Sequence, residues 1–252
     1  MDYKNILVSN IYGGIRIVIN RPKQKNSLSM ELVKELRCAI EATLNDNDVK
    51  VIIITGINDK FCTGMDFNQC VSGEHSSDFT VYYMELLKLI STVSKVIVAE
   101  INGEVMAGGM GLVAASDLAV AVPEARFSLS EAIWGIIPAM VAPYLIRKAG
   151  FSQAYRMSLT ALPITAEQAL QHGIIDAMSS NTEREARALL SRIYRMDCST
   201  IERIKSYYRK IWMIDEDMEK LAARESADVI LSDKVQKNIY NFINYKKFPW
   251  DE

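Results

Sequence analysis

The sequence predicts an α/β fold built from repeated strand–turn–helix units and followed by a helical C-terminal region. Three observations carry this. Apolar, β-branched runs at Val49–Thr55, Val96–Ile101 and Leu118–Val122 lack the alternation of a half-exposed strand, which is the pattern of parallel strands covered on both faces. The first two lead through glycine-containing turns, Phe61–Phe67 and Asn102–Gly111, into helical patterns. From Ser152 onward, apolar residues recur at helical spacing against charged faces. Units of this kind wind into either a parallel superhelix or a doubly wound sheet. No low-complexity linker interrupts the chain. One core is expected over residues 1–190, with a helical extension over 191–252 that packs on that core or on a neighbouring subunit.

Each element has a local reason. Ile6–Val8 and Ile15–Asn20 flank Tyr12-Gly13-Gly14, the arrangement of a hairpin, and Arg21-Pro22 ends its second strand. Ser27 or Ser29 is placed to cap a helix whose apolar positions Leu32, Val33, Leu36, Ile40 and Leu44 share one face. Asn45–Asp48 closes that helix. Phe61–Phe67 makes a tight turn into a short helix capped by Asp66, and the polar stretch Val71–Ser77 reads as an active-site flap. Phe79–Val93 is helical, and the glycine cluster opens a small-residue helix through Ala115. Thr165-Ala166-Glu167 starts a further helix, Gly173 stops it, and Ile174–Ala177 reads as a short strand. Arg184–Arg195, Ser199–Ile211 and Asp217–Ile230 are amphipathic helices.

Composition narrows the function classes. With 252 residues, 49% of them hydrophobic, the chain can bury one large core. A net charge of −2 and a pI of about 5.9 argue against a nucleic-acid partner. The four cysteines, Cys38, Cys62, Cys70 and Cys198, form no C-x-x-C pair, so free thiols in a reducing compartment are expected. Ile52–Thr55 and Ile133–Met140 are too short to span a bilayer. The expectation is a soluble cytoplasmic protein with no membrane partner and no metal.

The chemistry is concentrated in two segments. Gly108-Gly109-Met110-Gly111 enters a helix, where the first N–H groups have no internal partner and can stabilise an oxyanion. Phe127-Ser128-Leu129-Ser130-Glu131 follows twenty residues later and brings a carboxylate that can move a proton next to a carbonyl. Together they suggest enolate chemistry on a thioester. Gly109–Ala114 formally fits the dinucleotide pattern G-x-G-x-x-A, but seven residues, Asn102 to Gly108, separate it from its strand. Two histidines, His75 and His172, and no G-x-S-x-G argue against a serine hydrolase. Both read as surface residues. The loop Phe61–Phe67 can point a second set of amides at the same place, and an enolate oxygen needs two donors.

Taken in order, Asn20-Arg21-Pro22, Phe61-Cys62-x-Gly64-x-Asp66, Asn102-Gly103 through Gly111, Ser116-Asp117, Phe127-Ser128-x-x-Glu131 and Leu162–Ala169 leading to Gly173 resemble the crotonase, or enoyl-CoA hydratase/isomerase, superfamily. The resemblance spans nearly the whole chain. It implies a crotonase-like spiral of ββα units, a homotrimer or pair of trimers, and an acyl thioester bound between neighbouring turns. It implies that the oxyanion amides belong to Met65 and Gly108 and that Glu131 is the acid/base on the α-carbon. The substrate is expected to lie along Cys62, Gly64, Asp66, Tyr82 and Gly109. Arg21, Lys23 and Lys25 are candidates to meet phosphates of its carrier. Cys62 and Asp66 also have plainer readings, as a core thiol and a helix cap.

Hydratases of the superfamily carry a second glutamate where this chain has Gly111. A single carboxylate suits isomerisation, or an elimination in which Glu131 serves both carbons. The Phe127–Glu131 segment, the Pro138–Arg147 run and Phe248–Glu252 resemble the dehydratases of polyketide β-branching. In that subgroup the substrate is a 3-hydroxy-3-methylglutaryl group on the phosphopantetheine of an acyl carrier protein, with no other cofactor. The leaving hydroxyl would take its proton from Glu131, from water, or from Tyr82 or Tyr83. Lys246-Lys247 is a weaker candidate contact for an acidic carrier protein. The rival readings are an enoyl-CoA hydratase or isomerase acting on free CoA esters, and a non-catalytic scaffold with the same fold.

Overall fold

In the computed structural model, residues 2–71 and 77–251 are described. Most of the expected flap (residues 72–76), and His75 with it, lies outside them. An antiparallel hairpin, β1 (Ile6–Ile11) and β2 (Gly14–Ile19), opens the fold. Gly13, at φ +63°, makes the reversal. Helix α1 (Met30–Glu41) starts at Ser29, whose side chain accepts from Leu32 N at 3.1 Å, so of the two candidate serines the second is the cap. Its buried face carries Leu32, Val33, Leu36 and Ile40, whereas Leu44 falls beyond the helix end.

Three turns of a repeating pattern follow, each with a long strand and a short one. They are β3 (Val51–Gly56) with β4 (Lys60–Cys62), β5 (Val96–Ile101) with β6 (Glu104–Met106), and β7 (Leu118–Ala121) with β8 (Arg126–Ser128). Helices α2 (Phe67–Val71) and α3 (Ser77–Thr92) follow the first pair, and α4 (Gly108–Ala115) follows the second. Strands β2, β3, β5 and β7 align in parallel in one sheet, with β1 antiparallel at one edge and the two-residue β10 (Ala177–Met178) at the other. Strands β4, β6 and β8 align in parallel in a second, completed by antiparallel β9 (Ile164–Thr165). Two sheets that advance together form a superhelix, so of the two windings open to the sequence the doubly wound sheet is not the one adopted. The short strands were invisible to sequence patterning because three residues are too few to show a period.

Beyond the third turn come α5 (Ala142–Ala149), α6 (Phe151–Thr160), β9 (Ile164–Thr165), α7 (Ala166–Gln171), β10 (Ala177–Met178) and α8 (Thr182–Leu190). Thr165 and Gln168 form a reciprocal capping box at the start of α7. Ile174 and Ile175, expected in a strand, are instead buried in the approach to β10. Helices α9 (Cys198–Ile211), α10 (Glu216–Ile230) and α11 (Asp233–Tyr245) end the chain. Within this chain, α10 packs on α3 and α11 packs on α2. No helix among the described residues is long and apolar enough to cross a membrane.

Asp117 ties α9 to the main sheet. Its carboxylate accepts from Ile97 N at 2.8 Å and from Lys205 Nζ at 2.7 Å, and Lys205 also donates to the carbonyls of Ile90 and Lys95. Replacing Asp117 by Ala leaves a buried ammonium without its counter-charge. A loss of about 3–5 kcal/mol is expected in chemical denaturation. A change below about 1 kcal/mol would mean that the carbonyls alone support Lys205.

Candidate active site

The C-terminal ends of β4, β6 and β8 lie side by side in the short-strand sheet, and each runs into a segment that lines one cavity of about 820 Å³. After β4, Leu28 N donates to Gly64 O at 2.7 Å and Asp66 N donates to Leu28 O at 3.0 Å. That parallel pairing uses the groups flanking Met65, so the Met65 N–H points to the other side of the strand. After β6, Ala107 takes a left-handed conformation, φ 46° and ψ −119°, while its N–H is held by Ser128 O at 3.0 Å. A non-glycine residue there stores about 1–3 kcal/mol, and the turn presents Gly108 as the first residue of α4. The loops touch: a Cβ built on Gly64 would stand 3.3 Å from Gly108 N. Neither the Met65 nor the Gly108 N–H meets an acceptor among the described residues.

After β8, Glu131 opens a short 3₁₀ turn, Glu131–Trp134, closed by Gly135 at φ +83°. The residue is 9% exposed, and its buried Oε2 has no hydrogen-bond partner among the described residues. Burial raises its pKa to about 7 because the charged form loses hydration, which a hydrogen bond from its own backbone only partly offsets. Asp66 and Glu104 also line the cavity, but Asp66 pairs with Arg21 at 2.9 Å and Glu104 with Lys60 at 2.8 Å. Among the described residues, Glu131 is the lining carboxylate without a cation.

Of the residues expected at the substrate, Met65, Gly108, Glu131, Lys23, Lys25 and Asp66 line this cavity. Arg21, Cys62, Gly64, Tyr82 and Gly109 do not. Arg21 is turned inward to Asp66 and to the Ser27 carbonyl, so its guanidinium is committed to the fold rather than offered to a phosphate. Asp66 also accepts from Asn68 N at 3.1 Å, in keeping with its reading as a helix cap. Cys62 is wholly buried and its thiol is pushed up to about 12 by burial, which is the state of a core residue. Gly64 and Gly109 serve by having no side chain. A Cβ on Gly64 would stand 2.7 Å from that of Ala107, and one on Gly109 would overlap the Cys62 carbonyl.

Tyr82 faces α1, with Lys34 Nζ 5.0 Å from its ring centre. Its neighbour Tyr83 lines the cavity instead and donates to the Gly108 carbonyl. Sequence could have separated them: Phe79, Tyr83, Leu86, Leu87 and Ile90 recur along the buried stripe of α3, and Tyr82 sits off it. His172 caps the end of α7 and does not line the cavity.

One wall of the cavity is apolar, formed by Trp134, Ile136, Met140 and Val141. Helix α11 meets it through Phe242, whose ring lies 4.7 Å from that of Trp134, and Phe248 stacks on the same indole at 5.6 Å. Lys246 reaches the rim from the end of α11. A desolvated carboxylate can take a proton from carbon while two amides in the same cavity, without acceptors among the described residues, stabilise the charge that gathers on a carbonyl oxygen.

Comparison with known proteins identifies the family. Over 240 residues the chain is 28% identical to the bacillaene synthase dehydratase PksH of Bacillus subtilis, covering 94% of this chain and 92% of that protein. Over 258 residues it is 29% identical to the mitochondrial enoyl-CoA hydratase domain-containing protein 3 of Danio rerio, covering 99% of this chain and 89% of that one. The crystal structure of a putative polyketide biosynthesis enoyl-CoA hydratase from Bacillus subtilis superposes with a TM-score of 0.93 at 28% identity, over 98% of this chain and all of that one. The family model for enoyl-CoA hydratase/isomerase matches residues 11–252, and the chain belongs to that family.

Proposed function

We propose that this protein dehydrates 3-hydroxy-3-methylglutaryl-acyl carrier protein to 3-methylglutaconyl-acyl carrier protein in polyketide β-branching. The observation that carries the reading is that, among the described residues, Glu131 is the lining carboxylate without a cation and shares its cavity with the unpartnered amides of Met65 and Gly108. The thioester oxygen sits between those amides. Glu131 removes the α-proton, the developing enolate is stabilised at the oxygen, and the β-hydroxyl departs as water. Similarity to the Bacillus subtilis dehydratase supports elimination over isomerisation. The thioester handle is the one prosthetic group that the reading requires.

Intact-mass analysis of 3-hydroxy-3-methylglutaryl carrier protein incubated with the enzyme tests this, the expected result being loss of one water. Turnover of a 3-enoyl-CoA without such a loss would favour the isomerase reading, which the lone carboxylate also fits.

Lys23 and Lys25 flank the cavity mouth on the turn after β2 and are proposed to meet the carrier's phosphate. Replacing both by Ala is expected to raise KM about fivefold with kcat unchanged, since exposed ion pairs contribute little each. An unchanged KM would remove them from the handle site. The reading also carries assembly into a homotrimer or a pair of trimers. Phe151, Tyr155, Leu159 and Leu162, all more than half exposed along and just after α6, support such an interface. Light scattering of the purified protein reads the assembly directly.

A further inference from the structure

We infer that the Tyr83 hydroxyl holds the β-oxygen of the substrate, and that Gly111 is glycine because this phenol fills the space of its side chain. The inference rests on the dehydratase reading above and deepens it. A Cβ on Gly111 would overlap Tyr83 Oη, and would also stand 3.2 Å from Tyr83 Cζ and 3.3 Å from Val141 Cγ2. The phenol therefore occupies the volume into which residue 111 would otherwise project. Tyr83 is 1% exposed, its ring stacks on Phe79, and it lines the same cavity as Glu131. Its Oη donates to the Gly108 carbonyl, one residue from the oxyanion amide. The oxygen is thus fixed between the oxyanion turn and the apolar wall made by Met140 and Val141.

Burial and the nearby Cys62 and Glu131 raise the Tyr83 pKa well above its ordinary value, so the phenol stays neutral throughout the working range. With its one proton given to the Gly108 carbonyl, the neutral phenol oxygen accepts from the substrate's β-hydroxyl and so orients it. The step balances without it. Glu131 takes the α-proton, the electron pair of the broken Cα–H bond becomes the new C=C bond, and the Cβ–O bond breaks. The protonated Glu131 then returns that proton to the departing oxygen, releasing water. Tyr83 Oη holds that oxygen throughout and ends as it began.

The test compares two reactions in the same preparations. One is dehydration of the 3-hydroxy-3-methylglutaryl carrier protein. The other is exchange of the α-proton with D2O on a saturated acyl-pantetheine thioester that has no β-oxygen. Tyr83→Phe keeps the ring and is expected to lose about a hundredfold in dehydration, the scale of a misplaced reacting group, with exchange within threefold of the parent. Gly111→Ala should act on the same oxygen by displacing it. The pair is therefore expected to be non-additive, with the double variant no slower than the slower single one. Undiminished dehydration in Tyr83→Phe overturns the inference. So does an equal fall in both reactions, which would make the phenol a support for the Gly108 turn. A parent that exchanges the α-proton but eliminates no water overturns the dehydratase reading itself and this inference with it.

Discussion

Glu131→Gln is expected to fold like the parent and to lose about three to four orders of magnitude in kcat for dehydration. The amide matches the carboxyl in shape inside a buried turn but cannot accept the α-proton, and positioned proton transfer is worth roughly 10²–10⁴ in rate. With the group's pKa raised to about 7, the basic form grows as pH rises. The parent's kcat/KM should therefore climb through about pH 7 to a plateau, and the residual rate of the variant should lack that limb. Stability moves the other way. The unfolded carboxyl ionises near its ordinary 4.5 and the folded one near 7. Between those values the folded state holds the extra proton and loses its advantage as pH rises, by about 3 kcal/mol in all. The variant should not show that decline in denaturant titrations at successive pH. A variant that folds normally and dehydrates as fast as the parent would remove Glu131 as the base, and a parent without turnover would favour the scaffold.

Gly109→Ala is the second large effect, because the obstacle is backbone. A methyl there would overlap the Cys62 carbonyl oxygen and stand 3.0 Å from the carbonyl carbon. Cys62 cannot yield easily, since it ends β4, pairs with β6 and is wholly buried. Helix α4 must move instead, taking the Gly108 amide away from Met65. The expected result is a fall of about 10²–10³ in kcat, the scale of a lost oxyanion donor, with KM much less affected. A stability cost of about 1–3 kcal/mol accompanies the overpacking, read by thermal or chemical unfolding. A normal kcat with reduced stability would separate Gly108 from the oxyanion.

How much of this was legible beforehand differed from element to element. The long parallel strands, α1, α9 and α10 follow from runs and stripes that extend over enough residues to show a period. The glycine cluster and Glu131 stood out because bare amides and a carboxylate in apolar company are chemically unusual wherever they fall. Helix α11 was overlooked, although its buried Val235 and Ile239 lie at helical spacing. Its place against the apolar wall of the cavity depends on Trp134, about a hundred residues away in the chain. Arg21 reads as a free cation along the sequence and becomes a structural one only when Asp66 is folded against it.

The sequence by itself determined the succession of strands, turns and helices, the glycine turn and the candidate acid/base, since each depends on residues close together in the chain. The tertiary structure decided which groups share the cavity: Tyr83 rather than Tyr82, Lys23 and Lys25 rather than Arg21, and Glu131 alone among three carboxylates without a cation. The physical reason is that pairing, desolvation and the space for a side chain are set by atoms distant in sequence, so they take effect only once the short strands bring their ends together.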